Sequence, residues 1–244
     1  SAIALLIYSQ LTNYHLLTQP AIAKPTQSTQ APCHHAPPVT VALASSKAET
    51  VPLYEGLDRY RYPISTKNAQ AKRYFNQGLL LSYGFNHAEA ARSFREAARL
   101  DPNCAMCYWG SALVLGPNIN AGMEKDAVPQ AWGALQTAIR LSQRPSTSAR
   151  ERALIQALAK RYTSQPVNDR KPLDLAYVNA MRKVMKRYPA DLDIATLFAE
   201  ALMDTMPWDY WQPNGQPKPD ATEIFQTLET VLKRNPNHPG ANHL

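Results

Sequence analysis

The segment AKRYFNQGLLLSYGFNHAEAARSFREAARLDPN, residues 71–103, places small and aromatic side chains at the intervals of two antiparallel helices joined by a tight turn. Gly78 and Ala90 are small, so the two helices can approach closely. Phe94 and Ala97 lie three apart on one face of the second helix and pack against the first, where Tyr74 is a further anchor. Pro102 lacks an N–H and suits the first turn of the helix that follows. With Pro102 at position 32 of a 34-residue unit, Gly78 falls at 8, Ala90 at 20, Phe94 at 24 and Ala97 at 27. An ordinary amphipathic helical hairpin is the competing reading.

The pattern recurs on the C-terminal side. A second unit starts at Ala105, with Tyr108, Ala112 and Leu115 on its first helix and Ala131, Leu135 and Ala138 on its second. Its turn is long and carries GPNINAG at residues 116–122. Insertions in repeat arrays commonly map to one face, often the binding face. A third unit has helices over residues 148–162 and 172–188, separated by the polar loop SQPVNDRK. The fourth begins near Leu192, runs through Asp204, and then inserts MPWDYWQPNGQPKP at residues 206–219. Its second helix carries Ile224, Leu228 and Val231, and a fifth unit opens at Pro239. On the N-terminal side, Ser65 or Thr66 is the expected cap of the first helix. An array that stops at Leu244 leaves an apolar end uncovered, so the sequence is expected to be truncated there.

This spacing resembles tetratricopeptide (TPR) repeats. From residue 54 onward the chain resembles a largely uncharacterised bacterial family of TPR-repeat proteins. The matching stretches are QGLLLSYGFNHAEAARSFREAARLDPNCAMCYWG, GPNIN, TLFAEALMDTMPWDYW and NPNHPGANHL. The resemblance implies an all-α fold, a TPR-type helical-hairpin solenoid with long inter-helix insertions. About four repeats and a truncated fifth would fill residues 54–244. It implies no reaction.

It also implies which side chains face a concave groove. The family register gives Phe75 and Tyr83 from the first repeat, and Trp109 followed by the Asn118 and Asn120 turn from the second. The third gives Arg161 and Tyr162, the fourth Glu200 and Asp204, and the fifth His243. Buried aromatics suit binding hot spots, and Asn side chains can hold a peptide backbone. Glu200 and Asp204 are four apart, so their carboxylates share a helix face. Such a pair can take a cationic group or a metal, act as acid and base, or stay a pair of solvated acids. His87 reads as a packing residue, and His238 and His243 as turn and helix-start residues. Trp208, Tyr210 and Trp211 read as packing, since so aromatic a cluster is rarely left exposed.

The chain has three cysteines, Cys33, Cys104 and Cys107. Cys104 and Cys107 form C-x-x-C at a helix start, where a disulfide, a packed pair of small side chains and a metal or redox site all remain open. Metal ligands, if any, would come from Cys104, Cys107, His238 and His243, or from Cys33-His34-His35. Tyr108 after Cys107 excludes C-x-x-C-H haem attachment, and no cofactor is expected.

The first 23 residues carry the apolar run AIALLIY and then Ala21-Ile22-Ala23, which reads as the remnant of a secretory signal peptide. Residues 24–53 are rich in Pro, Ser and Thr and read as a flexible linker. The apolar run is far shorter than a spanning helix needs. Net charge is +7, with the basic residues spread along helix faces, so nucleic acid is not an expected partner. The expectation is a scaffold rather than an enzyme, binding a protein or peptide in the periplasm or outside the cell, with the cytoplasm as the other location. The alternative is a metal-binding or hydrolytic protein built on the carboxylate and histidine side chains.

Overall fold

A computed structural model describes residues 51–244. The signal remnant, nearly all of the linker and Cys33-His34-His35 lie outside the described residues. Among the described residues the fold is all-helical. After a single 3-10 turn at Leu57–Arg59, the helices are α1 (Ala69–Tyr83), α2 (His87–Leu100), α3 (Ala105–Leu113), α4 (Ala127–Ser142), α5 (Ala149–Leu158), α6 (Lys171–Arg187), α7 (Leu192–Met203), α8 (Pro219–Arg234) and α9 (Pro239–His243). Each helix packs on the next in chain order.

The helix starts follow local hydrogen-bond chemistry. The cap of α1 is Asn68, not Ser65 or Thr66: its side chain accepts from the backbone N–H groups of Gln70 and Ala71. Asn68 also donates to the Leu100 carbonyl at 2.8 Å, tying the start of α1 to the end of α2. Ser65 instead donates to the Glu151 carboxylate and Thr66 to Asp101. Pro102 stands in the turn before α3 rather than in its first turn, and the Cys104 N–H closes that turn on the Asp101 carbonyl at 3.0 Å. Ser148 and Glu151 cap α5 reciprocally, each side chain accepting from the other's backbone N–H. Asp191 caps α7 through the Ile194 N–H at 3.0 Å.

Phe94 shows why the spacing of the quoted segment matters. Its ring is fully buried and meets Phe75 edge-on at 5.4 Å. A Cβ on Gly78 would lie 2.9 Å from that ring, and one on Gly110 would lie 2.4 Å from it. One aromatic on α2 therefore sets the approach of both α1 and α3, and only glycine leaves it room.

The odd-numbered helices form a continuous inner path. α5 meets α3, α3 meets α1, α1 meets α9, and α9 meets α7. The Tyr83 ring lies so near Gly240 that a Cβ there would come within 2.7 Å of it. α5 and α7 have no close backbone approach to each other. Ion pairs bridge them at both ends: Arg150 Nη1 to Asp191 Oδ2 at 2.9 Å, and Arg161 Nη2 to Asp204 Oδ2 at 2.6 Å.

This closure corrects the expected open groove. Phe75 and Trp109 are 0% and 1% exposed, and Tyr83 is also buried. Tyr62, on the extended strap ahead of α1, covers Phe75 with its ring 6.4 Å away. α9 covers α1 at Tyr83, whose ring lies 5.9 Å from that of His238. Tyr162 is buried as well, its hydroxyl donating to the Ala112 carbonyl at 2.8 Å, so the four aromatics expected to line a groove are core.

Candidate functional site

The C-terminal ends of α1, α3, α5 and α7 converge on a small cavity between α5 and α7. Its walls include Ser82, His87, Pro117, Arg161, Tyr177, Glu200 and Asp204. Its free volume is about 10 Å³, room for roughly one water-sized group. Each wall residue is placed by the fold. Asp204 ends α7, with its N–H on the Glu200 carbonyl at 3.0 Å. Arg161 follows α5 in a tight turn, its N–H on the Leu158 carbonyl at 3.0 Å. Tyr177 enters from α6 and lies under the Arg161 guanidinium, 4.9 Å from it.

The charges are tightly held. The Arg161 and Asp204 side chains are 4% and 2% exposed. Besides Asp204, Arg161 donates to the Pro117 carbonyl at 3.0 Å and faces Asp174 Oδ1 at 3.5 Å. Arg170 reaches that same Asp174 oxygen at 3.3 Å. The formal sum over Glu200, Asp204, Asp174, Arg161 and Arg170 is one negative charge when all are ionised. Burial pushes the Glu200 carboxyl above its ordinary pKa, and the Asp204 charge adds to this. Burial also raises Asp204, against the pull of Arg161.

Three wall atoms lack hydrogen-bond partners, one of them Arg161 Nε, which faces Asp174 Oδ1 at 3.5 Å. Asp204 Oδ1 is buried without a hydrogen bond, although Oδ2 is paired. His87 Nε2 is likewise buried and unpartnered. The other His87 nitrogen, Nδ1, faces Asn118 Nδ2 at 3.3 Å. The Asn118 amide can only donate there, so Nδ1 accepts and Nε2 carries the proton. Burial lowers the His87 pKa, which favours this neutral form. The cavity thus offers a free acid oxygen, the Glu200 carboxyl and one imidazole N–H.

Compared with protein-family models, with curated proteins and with solved structures, the chain has no match.

The remaining sequence candidates disperse. Asn118 is fixed within its own turn: Oδ1 accepts from the N–H groups of Asn120 and Ala121 at 2.8 and 3.1 Å. Asn120 is exposed at the tip. His243 is exposed and packs on Phe85, with rings 5.0 Å apart. His238 is buried and caps α9, its Nδ1 accepting from Ala241 N–H at 3.2 Å. Cys104 and Cys107 are joined in a disulfide. Among the described residues, no three His, Cys, Asp or Glu side chains gather as a metal site. No described helix is long and apolar enough to cross a membrane.

Two features went unforeseen. Arg161 stands at an expected lining position, but only the fold reveals Asp204 as its partner. Trp208 and Trp211 are 70% and 55% exposed rather than packed away. Trp208 follows Asp204 by four residues and has φ 61°, a left-handed backbone that a bulky residue rarely adopts. Trp211 stacks on Phe225 at 5.3 Å and keeps much of its surface in solvent.

Proposed function

We propose that residues 54–244 form a TPR-type module that binds a protein or peptide segment where the insertion after α7 meets the Glu200–Asp204 cavity. The observation that carries this reading is the pairing of unsatisfied acid with exposed aromatic. Asp204 Oδ1 has no partner inside the fold, and four residues later Trp208 stands in solvent. A basic side chain of the partner places its charged head at Asp204 Oδ1 and Glu200, and its charge favours ionisation of the Glu200 carboxyl, which burial otherwise holds protonated. The indole rings of Trp208 and Trp211 take its apolar stem and neighbours. The helical hairpins and the glycine contacts around Phe94 support the TPR assignment. The Cys104–Cys107 disulfide supports an oxidising compartment, the periplasm or the cell exterior.

The test is a random peptide display selection on the full chain, followed by titration of the selected peptides. Peptides carrying Lys are expected, since the cavity has room for an ammonium head and not a guanidinium, with Trp208→Ala weakening them at least tenfold and leaving the melting temperature unchanged. Selected peptides without a lysine, or equal affinity for Trp208→Ala, would overturn the proposal.

A further inference from the structure

A second cleft lies at the opposite end of α7, beside its N-terminus, and its chemistry has the opposite sign. Its walls come from the strap ahead of α1, the start of α5, and the turn between α6 and α7, with His238 at one edge. Its volume, about 790 Å³, suits a ligand the size of a small organic anion or a short peptide. Four guanidiniums line it, those of Arg59, Arg61, Arg150 and Arg187, against the two carboxylates of Asp191 and Asp193.

The carboxylates are already engaged. Asp191 accepts from Arg150 at 2.9 Å, and Asp193 Oδ1 accepts from the Tyr83 hydroxyl at 2.8 Å and from Tyr60. Arg59 and Arg61 have no ion-pair partner among the described residues, and Arg187 lies over the Tyr188 ring at 5.5 Å. The lining also holds donors without a hydrogen bond. His238 is 2% exposed, and its Nδ1 is taken by the α9 cap, so Nε2 carries the proton. That nitrogen makes no hydrogen bond, with Asp193 Oδ1 3.4 Å away. The Tyr188 hydroxyl is also buried without a partner. Arg234 holds the turn that forms one wall, donating to the Pro189 and Ala190 carbonyls at 2.7 and 3.2 Å.

We infer that this cleft binds an oxyanion ligand of the carboxylate or phosphate class, gripped by Arg59, Arg61 and Arg187 over the donors of Tyr188 and His238. Guanidinium forks match planar oxyanions, and the excess positive charge is left for the ligand to neutralise. The site shares no residue with the Glu200–Asp204 cavity, so either assignment can fail without the other.

The test titrates the full chain at low ionic strength with three probes: inorganic phosphate, a hexaglutamate peptide and a hexalysine peptide. Wild type is compared with an Arg61→Gln/Arg187→Gln double variant, two exposed positions whose replacement should leave the melting temperature unchanged. Saturable binding of phosphate or hexaglutamate, weakened at least tenfold in the double variant and suppressed by salt, is the expected result. Hexaglutamate binding tenfold or more above phosphate identifies a peptide carboxylate as the source; comparable affinities identify a free oxyanion. No saturable binding of either anion, equal binding by the double variant, or equal binding of hexalysine overturns the inference.

Discussion

Arg161 gives Nη2 to Asp204 Oδ2 at 2.6 Å, and the second oxygen of the same carboxylate stays buried and unpaired. One contact thereby bridges α5 to α7 and leaves a free acceptor at the cavity between them. Removing one member of a buried pair strands the other charge, which typically costs about 3–5 kcal/mol. Arg161→Ala is expected to lower unfolding free energy by about that amount in a denaturant titration. The Arg161→Met/Asp204→Leu double variant, which removes both charges, is expected to lose much less than Arg161→Ala. Equal losses would mean that the pair is not desolvated.

The Phe94 ring leaves no room at Gly110, where a Cβ would sit 2.4 Å away. Gly110→Ala is expected to destabilise by about 1–3 kcal/mol through overpacking. Adding Phe94→Leu to it should recover part of that loss, since the smaller side chain vacates the contact. A Gly110→Ala protein as stable as wild type, measured by chemical denaturation, contradicts this packing.

The Glu200 carboxyl is raised by burial and by Asp204 from an ordinary 4.5 to about 8. Between those values the folded chain holds a proton that the unfolded chain has released. Stability from this group is therefore complete below 4.5 and is lost as pH rises toward 8. Asp204, also raised, acts with the same sign. Glu200→Gln stays neutral throughout, so its stability should fall less steeply over that interval and exceed wild type at the alkaline end. Identical pH profiles for the two proteins would refute the assignment.

The Cys104–Cys107 bond closes a very short loop at the start of α3. Chain entropy alone gives about 2 kcal/mol for so short a loop. Reductant is expected to lower the unfolding free energy by a comparable amount and to leave the helical circular dichroism signal in place. Loss of that signal under reductant would assign the disulfide a larger role.

Much of the helical layout was legible in the sequence, because small residues and turn residues mark helix contacts and ends directly. Pro189, Ser148 and Pro239 bounded their helices within a residue or two. The cap of α1 was misplaced because Ser65 and Thr66 spend their hydroxyls on Glu151 and Asp101, partners far along the chain. The site was legible only in part. Glu200 and Asp204 share a helix face, which local periodicity reveals, but Arg161 and His87 join them through long-range packing. The burial of Phe75, Tyr83 and Trp109 was hidden for the same reason. Nothing local in α1 signals that the Tyr62 strap and α9 cover it.

A thermodynamic cycle on one display-selected, lysine-bearing peptide tests the proposed binding role most directly. Calorimetry would compare that peptide with its norleucine counterpart, on wild type and on Glu200→Gln. If the lysine head is held at Glu200 and Asp204, norleucine weakens binding to wild type at least tenfold and changes binding to Glu200→Gln much less. Equal losses on both proteins, or none on either, would place the basic group elsewhere and contradict the proposed role of this cavity.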